Sequence, residues 1–119
     1  MIRILVVDDR IDFRLAFVSL LEAEADLKVV SQAGSLAEAR TMLEGVDVAL
    51  LDRGLPDGDG LKLMGDLRAV NLGARVFVIS STAEMLHPED AIEAGADGVI
   101  DKLATPERIF AAIREGGGG

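Results

Sequence analysis

The sequence predicts one α/β domain in which five parallel strands form a doubly wound sheet, covered by helices on both faces. Short apolar runs rich in Val, Ile and Leu alternate five times with segments whose apolar residues recur at intervals of three and four. The runs are almost continuously apolar, which is typical of strands buried between two layers of helices. A length of 119 residues suits one such domain, which we expect at residues 1–115, followed by a flexible Gly-rich tail at 116–119.

The first half of the chain contains three of the predicted strands. Ile2 begins a β-branched run that stops at two aspartates, and from Ile11 the apolar residues take helical spacing. Gly34 and Ser35 supply a turn and an N-cap before the next helix. The predicted elements are a strand at 2–7, a helix at about 11–24, a strand at 27–33, a helix over 36–43 and a strand at 46–52.

The second half repeats the pattern twice after one further helix. Pro88 suits the first turn of a helix, and Thr105 with Pro106 forms a cap and first turn of another. The predicted elements are a helix at 60–70, a strand at 76–79, a helix from 88 to near 95, a strand at 98–101 and a helix that opens at 105–106.

The composition excludes several classes of protein. Cysteine is absent, which rules out disulfide frameworks and thiolate metal sites. No apolar run has the length of a membrane span, and the first residues lack the features of a signal peptide, so we expect a cytoplasmic protein without a membrane partner. The formal net charge of -9 argues against direct nucleic-acid binding and favours a cation site or a basic partner.

Four of the five predicted strands end in a reactive polar group. These groups are Asp8 with Asp9, then Asp52, Ser80 and Lys102. Because the carboxyl ends of parallel strands meet at one edge of a sheet, we expect these side chains to lie close together, where open α/β sheets bind ligands. Asp52 is the first candidate for chemistry, because it ends a buried strand and precedes a loop rich in Gly and Pro.

This combination of groups predicts phosphoryl chemistry. Crowded carboxylates repel one another, so a hard divalent cation is their natural neutraliser, and Mg²⁺ prefers few carboxylates together with water and phosphate oxygens. A carboxylate can attack phosphorus to form an acyl phosphate, while Lys102 and a Ser hydroxyl stabilise the phosphoryl oxygens. A single Asp after a strand is more often a turn or cap residue, which is how we interpret Asp57 and Asp59. The joint placement at strand ends favours the chemical interpretation.

Three separated segments resemble the receiver domain of two-component response regulators. They are Val6-Val7-Asp8-Asp9, the stretch from Asp52 to Gly60, and the stretch from Gly95 to Lys102. The resemblance covers residues 2–115 and implies a flavodoxin-like (βα)5 fold with strand order 2-1-3-4-5. In that order the aspartates lie at the point where the direction of winding reverses.

The resemblance also implies a role for each site residue. Asp52 would be the phosphorylation site and also a ligand of Mg²⁺. Asp9 would bind Mg²⁺ directly, Asp8 would bind it chiefly through water, and the carbonyl of Gly54 would be the third protein ligand. Lys102 would pair with the phosphoryl group.

Other positions follow or depart from the family pattern. Pro56 and Gly60 correspond to residues that shape the phosphoacceptor loop. The family has a hydroxyl directly after its fourth strand, for which Ser80 and Thr82 compete, and we prefer Ser80 because its separation from the following glycine keeps the family spacing. Val99 stands where many members have an aromatic ring that swings inward, so we do not expect that ring movement in this chain.

The implied function is that of a switch. A histidine kinase or phosphotransfer protein would phosphorylate Asp52 with Mg²⁺, and the domain would catalyse only this transfer and the later hydrolysis. The signal would pass to an output domain beyond residue 119 that regulates transcription, to a partner, or to a homodimer. One alternative is a receiver-like interaction module that is never phosphorylated. Another is an enzyme of the haloacid-dehalogenase type, which would need a second acid where Gly54 stands.

Overall fold

The computed structural model describes residues 1–81 and 88–117 and contains a five-stranded sheet. The order of its strands is β2-β1-β3-β4-β5, and every neighbouring pair is parallel, which confirms the predicted doubly wound sheet. The strands are β1 (Ile2–Val7), β2 (Leu27–Ala33), β3 (Val48–Asp52), β4 (Arg75–Ser80) and β5 (Gly98–Asp101).

Helices cover both faces of the sheet, and each face has its own apolar cluster. The helices are α1 (Ile11–Glu22), α2 (Leu36–Arg40), α3 (Leu63–Val70), α4 (Pro88–Glu93) and α5 (Pro106–Gly117). Phe17 and Ile113 belong to the cluster under α1 and α5. Leu36, Leu67 and Ala91 belong to the cluster under α2, α3 and α4. A layer of helices on each face of the sheet explains why the strands are apolar on both faces.

Several boundaries differ from the predicted ones, and at two of them burial extends beyond regular structure. Leu43 is buried in the core although α2 ends at Arg40, so its apolar character does not mark a helical residue. β3 begins at Val48, two residues later than predicted, although Val46 is already buried in the core.

The last helix is longer than predicted. α5 continues to Gly117, so the expectation that the whole Gly-rich tail lacks regular structure was wrong for its first two residues. The carbonyl groups of the preceding turn offer these glycines helical hydrogen-bond partners. Arg114 of the same helix forms ion pairs with Glu24 and Asp26 at 2.8 and 2.7 Å, which join α5 to the connection between α1 and β2.

The loop after β3 contains a short antiparallel hairpin that the sequence patterns do not predict. It pairs Gly54–Leu55 with Gly58–Asp59. The carboxylate of Asp59 forms an ion pair with Arg53 at 2.9 Å and accepts a hydrogen bond from the backbone N–H of Leu61 at 3.0 Å. Asp59 thus caps the 3₁₀ turn at Gly60–Lys62 that precedes α3, which confirms its interpretation as a capping residue.

Gly60 closes this loop against the end of β3, and we expect its replacement to be costly. A Cβ atom at Gly60 would collide with the backbone carbonyl oxygen of Asp52. Gly60→Ala should therefore lower the free energy of unfolding by about 2 kcal/mol. Gly65 on α3 is the matched control, because nothing lies within 4 Å of a Cβ added there. Gly65→Ala should raise the free energy of unfolding by about 0.5–1 kcal/mol. Urea denaturation measures both, and equal effects would contradict the proposed collision.

Candidate functional site

Two buried carboxylates lie side by side at the carboxyl edge of the sheet. The register of β1 against β3 pairs Val7 with Leu51, so the next residues, Asp8 and Asp52, stand at the same level. Both are buried, with side-chain exposures of 0% and 5%. Two carboxylates in such a place need a cation, because their charges are poorly solvated and repel each other.

Lys102 supplies a positive charge at this point. Its Nζ atom lies 3.3 Å from Oδ2 of Asp8 and 3.5 Å from Oδ2 of Asp52. The backbone N–H of Lys102 donates to the carbonyl of Ser80 at 2.9 Å, which continues the pairing between β4 and β5 beyond the end of β5. With a side chain only 12% exposed, Lys102 is committed to the two carboxylates. The structure therefore brings together three of the predicted site residues.

Asp9 completes a group of three acids that opens to solvent. One carboxylate oxygen from each of Asp8, Asp9 and Asp52 lies within 4.8 Å of the other two. Oδ1 of Asp8 accepts a hydrogen bond from the backbone N–H of Arg10 at 2.9 Å, whereas the buried Oδ2 accepts no hydrogen bond from the residues described and faces the Lys102 ammonium at 3.3 Å. Asp9 is exposed. Closely spaced carboxylate oxygens suit a hard divalent cation such as Mg²⁺ or Ca²⁺.

Gly54 and Ser80 lie beside these acids. The backbone N–H of Gly54 donates to Oδ1 of Asp52 at 3.3 Å, so the hairpin begins in contact with the acid. Ser80 is the last residue of β4 and is buried, one position beyond the partner of Asp52 in the register. The roles of the Gly54 carbonyl and the Ser80 hydroxyl stay predictions. Thr82, the competing hydroxyl, lies outside the described residues.

Val99 occupies β5 on the face of the sheet that α2, α3 and α4 cover. It is partly buried and packs against the apolar cluster of that face. Its partner in the register is Val78 of β4. An aliphatic side chain in this place has no ring that could swing inward, and the expectation about the switch stays a prediction.

Asp57 connects the loop after β3 to α2, a link that sequence reasoning missed. Its carboxylate accepts hydrogen bonds from the backbone N–H groups of Leu36 at 2.8 Å and Ala37 at 3.0 Å. The partners are separated by 21 and 20 residues, so no local pattern announces the contact. Asp57 does cap a helix, as expected, but the helix is α2 and not the one that follows it.

These two amides also affect the titration of Asp57. They hold the pKa of its carboxyl group below the ordinary value, because they stabilise the ionised form. The contribution of this contact to stability is therefore complete above the ordinary pKa of an aspartate. It is lost as the pH falls through the lowered value.

Comparison with known proteins gives a consistent result. The family model described as "Response regulator receiver domain" matches residues 4–114. The DNA-binding transcriptional activator DevR/DosR of Mycobacterium tuberculosis is 36% identical over an alignment that covers 100% of this chain and 56% of that protein. The chain thus spans a little over half the length of this curated relative.

Solved structures resemble the chain over nearly its whole length. The signal receiver domain of the response regulator NarL from Mycobacterium tuberculosis has a TM-score of 0.84 and 30% identity, with coverage of 99% of this chain and 97% of that one. A response regulator from Burkholderia pseudomallei was solved with a phosphorylated aspartic acid, a calcium ion and citrate. It has a TM-score of 0.78 and 27% identity, with coverage of 95% and 66% respectively.

The lengths and the apolar character of the helices also bear on membrane spanning. Among residues 1–81 and 88–117, no helix combines the length and the apolar character that crossing a bilayer requires.

Proposed function

This chain belongs to the receiver domain family of two-component response regulators, and from that premise we propose that Asp52 is its phosphoacceptor. The observation that carries the proposal is the ammonium group of Lys102, which faces the buried carboxylates of Asp8 and Asp52 at 3.3 and 3.5 Å. A nucleophile and a cation that can receive phosphoryl oxygens are thus already in contact. The solved relative with a phosphorylated aspartic acid supports this assignment.

The transfer needs no proton movement at Asp52. One carboxylate oxygen attacks the phosphorus of a phosphohistidine on a histidine kinase or phosphotransfer protein. The bond between phosphorus and the imidazole nitrogen breaks, and its electron pair stays on that nitrogen. Lys102 then pairs with one oxygen of the phosphoryl group, and the Ser80 hydroxyl donates a hydrogen bond to another oxygen of that group. Later, water attacks phosphorus, which releases inorganic phosphate and restores the carboxylate. The domain catalyses only these two steps on itself.

The three acids fit a bound Mg²⁺ ion. Asp9 and Asp52 would bind it directly, Asp8 would bind it chiefly through water, and the carbonyl of Gly54 would complete the protein ligands. The fit rests on the closeness of the three carboxylates and on their oxygen atoms, the ligand type that hard divalent cations prefer. When bound, the ion would neutralise the repulsion between the carboxylates and an incoming phosphoryl group.

The signal passes to something larger than this domain. DevR/DosR is a DNA-binding transcriptional activator, and the chain covers 56% of it. We therefore place this domain in a cytoplasmic transcription regulator, where an output domain beyond residue 119 contacts DNA and phosphorylation alters either that contact or homodimerisation. The net charge of -9 fits a domain that does not bind nucleic acid itself.

The test is the intact mass of the protein after incubation with acetyl phosphate. We expect one phosphoryl adduct in millimolar Mg²⁺, and a rate of its formation at least about tenfold lower in chelator, since the metal neutralises charge at the reacting group. Circular dichroism in both buffers controls for folding. A folded sample that gives no adduct with any phosphodonor would favour the unphosphorylated interaction module. Turnover of a phosphate ester would favour the haloacid-dehalogenase type of enzyme.

A further inference from the structure

Lys102 has a third neighbour besides the two carboxylates. Its Nζ atom lies 4.8 Å from the centre of the aromatic ring of Phe13, which belongs to α1. This distance is within the range, about 6 Å or less, over which the face of an aromatic ring attracts a cation. Only 3% of the residues are aromatic, so most apolar side chains of this protein are aliphatic. Lys102 nevertheless meets an aromatic ring.

The position of the Phe13 ring is set by the core. Phe13 stacks on Phe17, one helical turn later on α1, with ring centres 5.5 Å apart and planes inclined by 25°. Phe17 is buried in the cluster under α1 and α5, and Phe13 packs against the same cluster. The ring that meets Lys102 is therefore held by the interior of the domain, whereas the lysine itself has a long and flexible stem.

We propose that Phe13 is a positioning residue, whose ring holds the Lys102 ammonium at the carboxylates of Asp8 and Asp52. The inference rests on the proposed function for the use to which the lysine is put. A ring is neutral, so it attracts the ammonium without taking the place of an anionic partner. When Asp52 carries a phosphoryl group, the ammonium can exchange the carboxylate for a phosphoryl oxygen while it stays in contact with Phe13.

Variants of Phe13 separate the attraction between ring and cation from the packing of the side chain against the cluster. Phe13→Leu keeps an apolar side chain against the cluster but removes the π face, and Phe13→Met is a second apolar replacement that adapts to the space. Phe13→Tyr keeps the ring. Phe110→Leu is the control, because Phe110 packs against the same cluster and lies under a different cation, Arg114, at 5.5 Å.

The first measurement is the NMR spectrum of the unphosphorylated protein. With Nζ 4.8 Å from the ring centre, we expect the ring current of Phe13 to move the signals of the Lys102 side-chain methylene protons upfield. We expect this shift to disappear in Phe13→Leu and Phe13→Met, and to remain in Phe13→Tyr and Phe110→Leu. Unchanged Lys102 signals in the two apolar variants would overturn the proposal, and this measurement does not depend on whether the chain is phosphorylated.

The second measurement is the rate of adduct formation with acetyl phosphate in saturating Mg²⁺. Phe13→Leu and Phe13→Met should be slower than the parent by about three- to tenfold, the range expected for loss of a partly desolvated cation–π contact. Phe13→Tyr should restore the rate, and Phe110→Leu should keep it. Equal slowing by Phe13→Leu and Phe110→Leu would assign Phe13 a role in packing alone. Failure of the parent chain to form any adduct would count against the proposed function, while the NMR result still decides the position of the lysine.

Discussion

Asp52→Asn is expected to abolish formation of the phosphoryl adduct. The side chain keeps its shape, but the carboxylate is replaced by a neutral amide, which is a poor nucleophile toward phosphorus. We expect a rate lower by more than about a thousandfold, because removal of a nucleophile costs enzymes at least that much. Asp52 is buried and lies 3.5 Å from the Lys102 ammonium, which fits a phosphoacceptor whose phosphoryl group this lysine would contact.

Asp66→Asn is the control for this substitution. Asp66 lies on α3, where its side chain is 45% exposed and pairs with Arg40 at 3.0 Å. The Asp66→Asn variant should form the adduct at the parent rate, as measured by intact mass in the same buffer. An adduct on Asp52→Asn at the parent level would place the phosphoacceptor on another residue and would refute the assignment.

Lys102→Met is expected to destabilise the protein more than any surface substitution. It removes the ammonium that lies within 3.5 Å of both buried carboxylates and leaves their charges without this partner. We expect the free energy of unfolding in chelator at low salt to fall by about 3 kcal/mol, because breaking a buried ion pair exposes the full desolvation cost of the remaining charge. Millimolar Mg²⁺ should restore part of this loss, since the ion can neutralise the same oxygens.

Two further variants identify the cause of that loss. Adding Asp52→Asn to Lys102→Met removes one of the two buried charges that have lost the ammonium and should recover part of the stability. Lys62→Met replaces an exposed lysine and should change the free energy of unfolding by less than about 0.5 kcal/mol. A loss in Lys102→Met that neither Mg²⁺ nor Asp52→Asn relieves would mean that the lysine acts through packing. Because the acceptor and metal ligands remain, Lys102→Met should still be phosphorylated, with a weaker response of the output.

The elements that the sequence predicts best are those whose ends carry a chemical contrast. β1 and β5 begin and end as predicted, because apolar runs stop at acids or at a lysine. Ser35 marks the start of α2 by accepting a hydrogen bond from the backbone N–H of Glu38 at 3.1 Å. The same contrast predicts that Asp8, Asp52 and Lys102 meet, because the ends of parallel strands share one edge.

The features that sequence reasoning misses depend on contacts between distant residues. Leu43 is apolar because the core needs it, although no helix holds it. Phe13 has the spacing of a core residue on α1, and only the fold shows that its ring also meets Lys102. Asp57 has the sequence surroundings of a turn residue, and no local pattern indicates that its partners lie on α2. Periodicity reports which face of an element is buried, and not what that face touches.

Because Asp57 contacts α2, hydrogen exchange at the start of this helix reports on opening of the loop after β3. α2 has five residues, too few to be stable by itself, and its first two amides depend on a carboxylate from the loop after β3. When this loop opens, the N–H groups of Leu36 and Ala37 lose their acceptor and exchange with solvent. Their exchange rates therefore record, without a label or a substitution, how often the segment next to Asp52 leaves its closed state.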